Sequence, residues 1–284
     1  MAPILLALLL ATGCAGHVSS TDMSGFGRSA AAIGKQAETS MLDANRIGRD
    51  ASVEEFIRLG RPGLTEAAFP PLVPPEVSRA WLDALGGLER YGMLLSSLSD
   101  PDRASDATAA VGNLGGQLNG LGAGISPGIG SAFAGLAGAL VEASAQRQAR
   151  GFLRRTDPHV RSLLVSMAEA VGASDDEGLR GTVKTNWIRT FSPLQNAYAA
   201  AAEKKDERLQ RTNIALFLDR VDRRDAQLRS LAALRLSLLS LADAHSAAAA
   251  GSRRPASELL EVVERRLEEV REAHDVIKQG AGNE

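Results

Sequence analysis

Four histidines, His17, His159, His245 and His274, are the side chains most open to acid–base or metal chemistry in this 284-residue chain. A shared metal would want His245 close to His274, since both lie on apolar helical seams. Folding the chain about a turn near residue 252 leaves them roughly 20 Å apart along the helix axis. No metal site is expected, and each histidine is expected at a seam edge with its polar tip in solvent. A serine nucleophile finds no Gly-x-Ser-x-Gly elbow, and Gly128-Ile129-Gly130-Ser131 lacks the preceding strand such a turn needs. Asp175, Asp176 and Glu177 form the densest run of acids, but acids gather at helix starts because the dipole favours them there. The glycines of Gly120-Leu121-Gly122-Ala123-Gly124 have neither the following lysine nor the strand of a phosphate cradle. No catalytic set and no cofactor site emerges, so a non-enzymatic protein is expected.

Two other groups of residues could meet a partner. Arg147, Arg150, Arg154, Arg155 and Arg161 are opposed only by Asp157, and the first three share one helical face. Such a face is either simply solvated or a contact for anionic lipid or an acidic protein surface. Trp187, within Asn186-Trp187-Ile188-Arg189-Thr190-Phe191, is either a packing anchor or a ledge for a partner, because Trp and Arg are favoured in binding hot spots. Nucleic acid is not an expected partner: the formal net charge is only −2 and the basic cluster has a single neighbouring aromatic, Phe152.

The elements that must position these residues read as helices throughout. Aromatics make up 4% of the chain while alanine and leucine abound, which suits closely packed helices and not sheets. The fold class expected is all-α: an elongated multi-helix bundle with a Gly-rich central helical hairpin and a long C-terminal antiparallel hairpin. Patterning starts near Gly25 and runs towards Leu59. A Pro-rich connector over 60–75 interrupts it, and Val77, Trp81, Leu85, Leu88, Tyr91, Leu95 and Leu98 then recur at helical spacing. Glycine falls at every fourth place from Gly112 through Gly116, Gly120 and Gly124 to Gly128, followed by Gly130, Ala134 and Gly138. Each series makes a smooth stripe, expected as a tight seam between two short helices. Thr156-Asp157-Pro158 is expected to restart a helix, Ser174 to Glu177 to start another, and Ser192-Pro193 to kink or end it. Residues 25–205 thus form the bundle. Residues 206–279 form the C-terminal hairpin, with seams at Leu231, Leu234, Leu238, Leu241 and His245, and at Leu260, Val263, Leu267, Val270, His274 and Ile277.

The N-terminus adds a location. The apolar run from Pro3 to Ala11 is too short to span a bilayer and has the length of a signal-peptide core. It closes on Leu10-Ala11-Thr12-Gly13-Cys14, at the one cysteine of the chain. This stretch resembles the lipobox of bacterial lipoproteins. The resemblance implies a signal peptide over 1–13, acylation (palmitate among the chains) at Cys14, and a tether over 14–24. Ala15 after the cysteine implies sorting to the outer membrane. The expectation is a bacterial cell-envelope lipoprotein facing the periplasm, anchored by lipid, working as a helical scaffold or adaptor for a protein partner. The alternative is a periplasmic carrier that holds lipid or another apolar ligand at the Gly-rich hairpin.

Overall fold

A computed structural model of the protein describes residues 20–98, 127–143, 149–251 and 256–281. Cys14, His17, the glycines from Gly112 to Gly124, and Arg147 lie outside the described residues. The rest is an all-α bundle. Its helices are α1 (Ser20–Arg58), α2 (Pro75–Leu98), α3 (Pro127–Ala143), α4 (Ala149–Val171), α5 (Gly178–Glu203), α6 (Glu207–Ala250) and α7 (Ala256–Ala281), with a 3-10 turn at Glu66–Ala68. Among the described residues there is no strand, and no helix is long and apolar enough to cross a membrane.

Small and large apolar residues alternate along α1: Met23, Phe26, Ala30, Ile33, Ala37, Met41, Ala44, Ile47 and Ala51 are all buried. Their spacing of three and four makes one continuous stripe. Against it lies α2, through Trp81, Ala84, Leu85, Leu88, Tyr91 and Leu95. The two helices touch backbone to backbone at one point. A methyl group placed on Gly92 would lie 2.6 Å from the Gly27 nitrogen, and one on Gly27 would lie 2.8 Å from the Glu89 carbonyl. Only glycine at both positions permits that approach. The connector between α1 and α2 is held to α1 by Asn45, whose amide accepts from the Val73 N–H at 2.6 Å and donates to the Val73 carbonyl at 3.1 Å.

The hub of the bundle is α6, which packs on α1, α4, α5 and α7. Asp206 caps its start, accepting the Leu209 N–H at 3.0 Å. Gly251 ends it in the left-handed region, at φ 65°, with its N–H turned back to Ala247 and Ala248. Both C-terminal seams fall where their spacing places them. Leu231, Leu234, Leu238, Leu241, Leu260, Val263, Leu267, Val270 and Ile277 are all buried. One cluster of buried apolar residues runs from Met23 on α1 to Val270 on α7, so the C-terminal hairpin shares its core with the bundle.

Three local expectations are corrected. Pro158 lies inside α4, where a helix start had been expected, and α5 continues past Pro193, which therefore does not end it. Proline removes one helical hydrogen bond. In α4 the buried stripe Phe152, Thr156, Val160, Leu163 and Met167 crosses it without a break, and packing carries the helix past the proline. Next, α5 begins at Gly178 and not at Ser174. Gly172 (φ 107°) and Gly178 (φ 56°) bracket a turn in conformations that favour glycine. Within that turn Asp175 pairs with Arg180, and Asp176 with Lys184 at 2.8 Å. Finally, on α3 the small-residue series is not the seam. Ala134 and Gly138 are exposed, nothing lies within 4 Å of a methyl group placed on Gly138, and Ile129, Ala132, Leu136 and Leu140 face the core instead.

The glycine contact predicts opposite signs for two neighbouring substitutions in α2. Gly86 has open space around it, so Gly86→Ala should stabilise by about 0.5–1 kcal/mol through helix propensity. Gly92→Ala forces α1 and α2 apart and should destabilise by about 1–3 kcal/mol. Urea melts of the two variants read the difference directly. In the C-terminal hairpin, Leu238→Ala and Leu267→Ala should each cost about 2–5 kcal/mol and combine non-additively. Exposed Glu268→Ala should stay within about 0.5 kcal/mol.

Candidate functional site

The densest meeting of chemically able groups is buried where α2, α4 and α6 converge. Thr156 on α4 sits in mid-helix, with its hydroxyl 3.1 Å from the Phe152 carbonyl and 3.2 Å from that of Leu153. The Tyr91 hydroxyl, from α2, lies 2.5 Å from Thr156 Oγ1 and 2.8 Å from His245 Nε2 on α6. The other ring nitrogen, His245 Nδ1, lies 2.8 Å from Asp157 Oδ1, which also accepts from the Ser246 hydroxyl at 2.9 Å. Thr156, Tyr91 and His245 are fully buried, while the Asp157 side chain keeps 25% of its surface in solvent. Aromatic rings close the rest. Phe26 stands 5.4 Å from the imidazole and edge-on to Tyr91 at 6.1 Å, and Phe152 stacks on Tyr91 at 6.1 Å.

Seated in a helical seam, His245 is thus bonded through both nitrogens and is not the solvent-tipped residue expected of a seam edge. Its partners Tyr91, Thr156 and Asp157 did not stand out as a set in the sequence. The available signals were a histidine in line with Leu234, Leu238 and Leu241, and an isolated acid, Asp157, within a run of arginines.

Electrostatics order the protons along this chain. Burial pushes the Asp157 carboxyl up, but hydrogen bonds from His245 and Ser246 and the nearby Arg161 guanidinium outweigh it, and its pKa falls below the usual carboxylate value. Ionised Asp157 therefore accepts from the Nδ1–H of His245. Burial drives the Tyr91 phenol far above its ordinary pKa, against a lowering hydrogen bond from Thr156, so the phenol stays protonated. With a neutral imidazole, Tyr91 donates to Nε2 and Thr156 donates to the Tyr91 oxygen. With an imidazolium, Nε2–H donates to Tyr91, Tyr91 to Thr156, and Thr156 to the Phe152 carbonyl. The same heavy-atom contacts serve both states, with the hydroxyls reversed.

An Asp–His–hydroxyl relay resembles an acid–base catalyst in geometry. Here Thr156 occupies the side of the Tyr91 oxygen that a substrate atom would need, and aromatic rings cover the imidazole. The arrangement as it stands ties helices together.

Other candidate residues are likewise engaged within the chain. Arg154 Nε lies 3.3 Å from the Ala249 carbonyl, and the Arg150 guanidinium packs over Gly251. Both cations thus sit at the C-terminal end of α6, where helix carbonyls and the dipole attract positive charge. Trp187 is 7% exposed. Its indole N–H donates to Gln227 Oε1 at 2.6 Å and Arg223 lies over its ring at 6.0 Å. It packs as an anchor, not as a ledge. A polar cleft of about 190 Å³ opens beside it, lined by Asp50, Glu54, Thr190 and Arg220 among others. His274 lies 2.7 Å from Asp43 on α1, far from His245 in the chain, and among the described residues no group of three His, Cys, Asp or Glu could hold a metal ion.

No protein-family model matches this chain, and comparison with curated proteins and with solved structures gives no match.

The relay predicts a graded response to mutation. Tyr91→Phe leaves His245 Nε2 and Thr156 without their shared partner and should cost about 1–3 kcal/mol. Double-mutant cycles with His245→Gln should show strong coupling. The depressed Asp157 carboxyl contributes stability above its unfolded pKa of about 3.9, and that contribution is lost as pH falls through the lower folded value. Wild-type urea midpoints should therefore drop below about pH 4 more steeply than those of Asp157→Asn.

Proposed function

We propose that this chain is a bacterial cell-envelope lipoprotein, held by acyl groups on Cys14, facing the periplasm and sorted to the outer membrane. Its helical body works as a non-enzymatic scaffold or adaptor. The observation that carries the reading is the apolar run that closes at the chain's one cysteine, in Leu10-Ala11-Thr12-Gly13-Cys14. The character of the body supports it. His245, Tyr91 and Asp157 are turned towards one another, while Leu42, Ile57, Leu64, Tyr198 and Leu218 stand out at the surface. A surface that offers apolar side chains suits contact with other macromolecules better than chemistry on a small substrate.

The anchor is tested by Cys14→Ala. The variant should leave the membrane fraction or accumulate unprocessed, and mass analysis of the mature wild-type chain should show acylation at Cys14. A variant that fractionates with membranes as the wild type does would remove the anchor. Native mass spectrometry of material from cells then addresses the adaptor. Co-purified protein supports it, whereas co-purified lipid would replace it with a carrier.

A further inference from the structure

The buried stripe of α1 leaves one face of that helix with no other helix against it. Gly25 and Asp43 meet α7 on one side of this face, and Gly27 and Gly34 meet α2 on the other. Between them, at 100° per residue, Arg28, Lys35, Arg46 and Arg49 fall within an arc of about 80°. Leu42, Val53 and Ile57 lie in the same arc. All seven are exposed, Leu42 by 64% and Ile57 by 68%. The acids Glu38 and Asp50 stand just outside the arc, one at each edge. Arg28 reaches Ser24 at 3.3 Å, and Lys35, Arg46 and Arg49 enter no ion pair among the described residues. Cations and large apolar side chains thus share a strip that runs about 44 Å along the helix.

We propose that this face of α1 lies flat on a bilayer of anionic phospholipid, its four cations on the phosphates and Leu42, Val53 and Ile57 in the boundary beneath them. A helix face that interleaves cations with apolar side chains binds in the plane of a membrane interface. Charge draws it to anionic headgroups, and the apolar groups enter below them. Long basic side chains suit this arrangement, because their aliphatic stems stay in the apolar layer while the charged ends reach the phosphates. The formal net charge of the chain is −2, so the attraction belongs to this face and not to the molecule as a whole. Position selects a membrane over an acidic protein. Cys14 stands six residues before Ser20, a reach of at most about 20 Å, so acyl groups on Cys14 start α1 at the bilayer surface. The choice of occupant therefore rests on the reading of Cys14 as a lipid anchor, while the face itself is read from the helix. Standing upright on its anchor, the bundle would carry Ile57 about 55 Å from Ser20 and clear of lipid. Lying flat, it brings Ile57 into the interface.

The test uses the full protein isolated from cells and reconstituted into vesicles of phosphatidylcholine, alone or with about 30% phosphatidylglycerol. Ile57→Cys carries a fluorophore whose emission reads contact with lipid, and Leu218→Cys, 54% exposed on α6, is the control. Where mass analysis finds the Cys14 sulfur free, Cys14→Ser is added and the labelled chain is mixed with the same vesicles. The face is thus tested whether or not the anchor holds. On anionic vesicles the Ile57 label should report apolar surroundings and the Leu218 label water. Neutral lipid or high salt should return the Ile57 label to water. Arg46→Gln with Arg49→Gln should lower the ratio of docked to undocked chains about 30-fold, or about 5-fold for each cation lost. Both side chains are exposed, so helical content should hold. Arg208→Gln with Arg211→Gln removes the same charge at the start of α6 and should leave docking unchanged. An Ile57 label that stays in water on anionic vesicles would overturn the proposal, as would equal docking on neutral lipid. So would equal losses from the two arginine pairs, or an acidic protein held through Arg46 and Arg49 while the label ignores lipid.

Discussion

The bond between Tyr91 and His245 is the contact on which the arrangement of the bundle depends. The core around it is built mainly from alanine and leucine, whose contacts change little when one helix slides past another by a turn. A phenol at 2.8 Å from a fully buried imidazole does not tolerate such a slide. Slipping would leave the hydroxyl and both ring nitrogens unpaired in a medium without water, and the loss would be large. The register of α2 against α6, and of both against α4, therefore follows from polar groups in an apolar core. The backbone contact of Gly27 with Gly92 serves the same end. Phe26 and Tyr91 adjoin those glycines in sequence, so the close approach of α1 and α2 is what brings both rings to the imidazole.

From this centre α6 runs in two directions with different characters. Towards its C-terminus it is buried through Leu228, Leu231, Leu234, Leu238 and Leu241 and ends under Arg150 and Arg154. Those arginines neutralise a helix end that would otherwise present bare carbonyls beside the core. Towards its N-terminus the helix leaves the body and keeps only α5 beside it, and Leu209, Ile214, Leu216 and Leu218 emerge. The two halves are continuous, 44 residues of unbroken helix. A force or a contact at the exposed end is thus delivered to a rod whose other end holds His245.

What the sequence made legible was whatever repeats locally. The seams of α6 and α7, the connector before α2 and the start of the C-terminal hairpin near residue 206 each follow from residues within a few turns of one another. The relay is different in kind: Tyr91 lies 154 residues from His245 and 65 from Thr156, and Asp157 lies 88 from His245. No local period records such separations. Pro158 was misread for a related reason, since propensity is a local preference and the long-range packing of α4 outweighs it. The series Gly130, Ala134 and Gly138 went wrong because spacing identifies a face of a helix without saying which face meets a neighbour. On α3 the bulkier side chains Ile129, Leu136 and Leu140 take the core. The lone acid among the arginines, and a histidine on a leucine seam, were the two signs that polar chemistry had moved inside.

Several of the described groups that drew attention as possible chemistry are committed to internal contacts. Asp175 and Asp176 hold the turn before α5 through Arg180 and Lys184. His274 joins the end of α7 to Asp43 on α1, and Trp187 is bonded to Gln227 beneath Arg223. Trp187 and His274, both largely buried, cannot reach outward without breaking the contact that holds them, and breaking a buried contact is costly. Large apolar side chains also stand exposed, on α1 at Leu42 and Ile57, in the connector at Leu64, and at the start of α6 at Leu209, Ile214, Leu216 and Leu218. Water gains little from these side chains and another protein surface gains much. Within an apolar core a few buried polar contacts fix the register of the helices, and the apolar side chains left at the surface are the ones that the proposed assembling role would use.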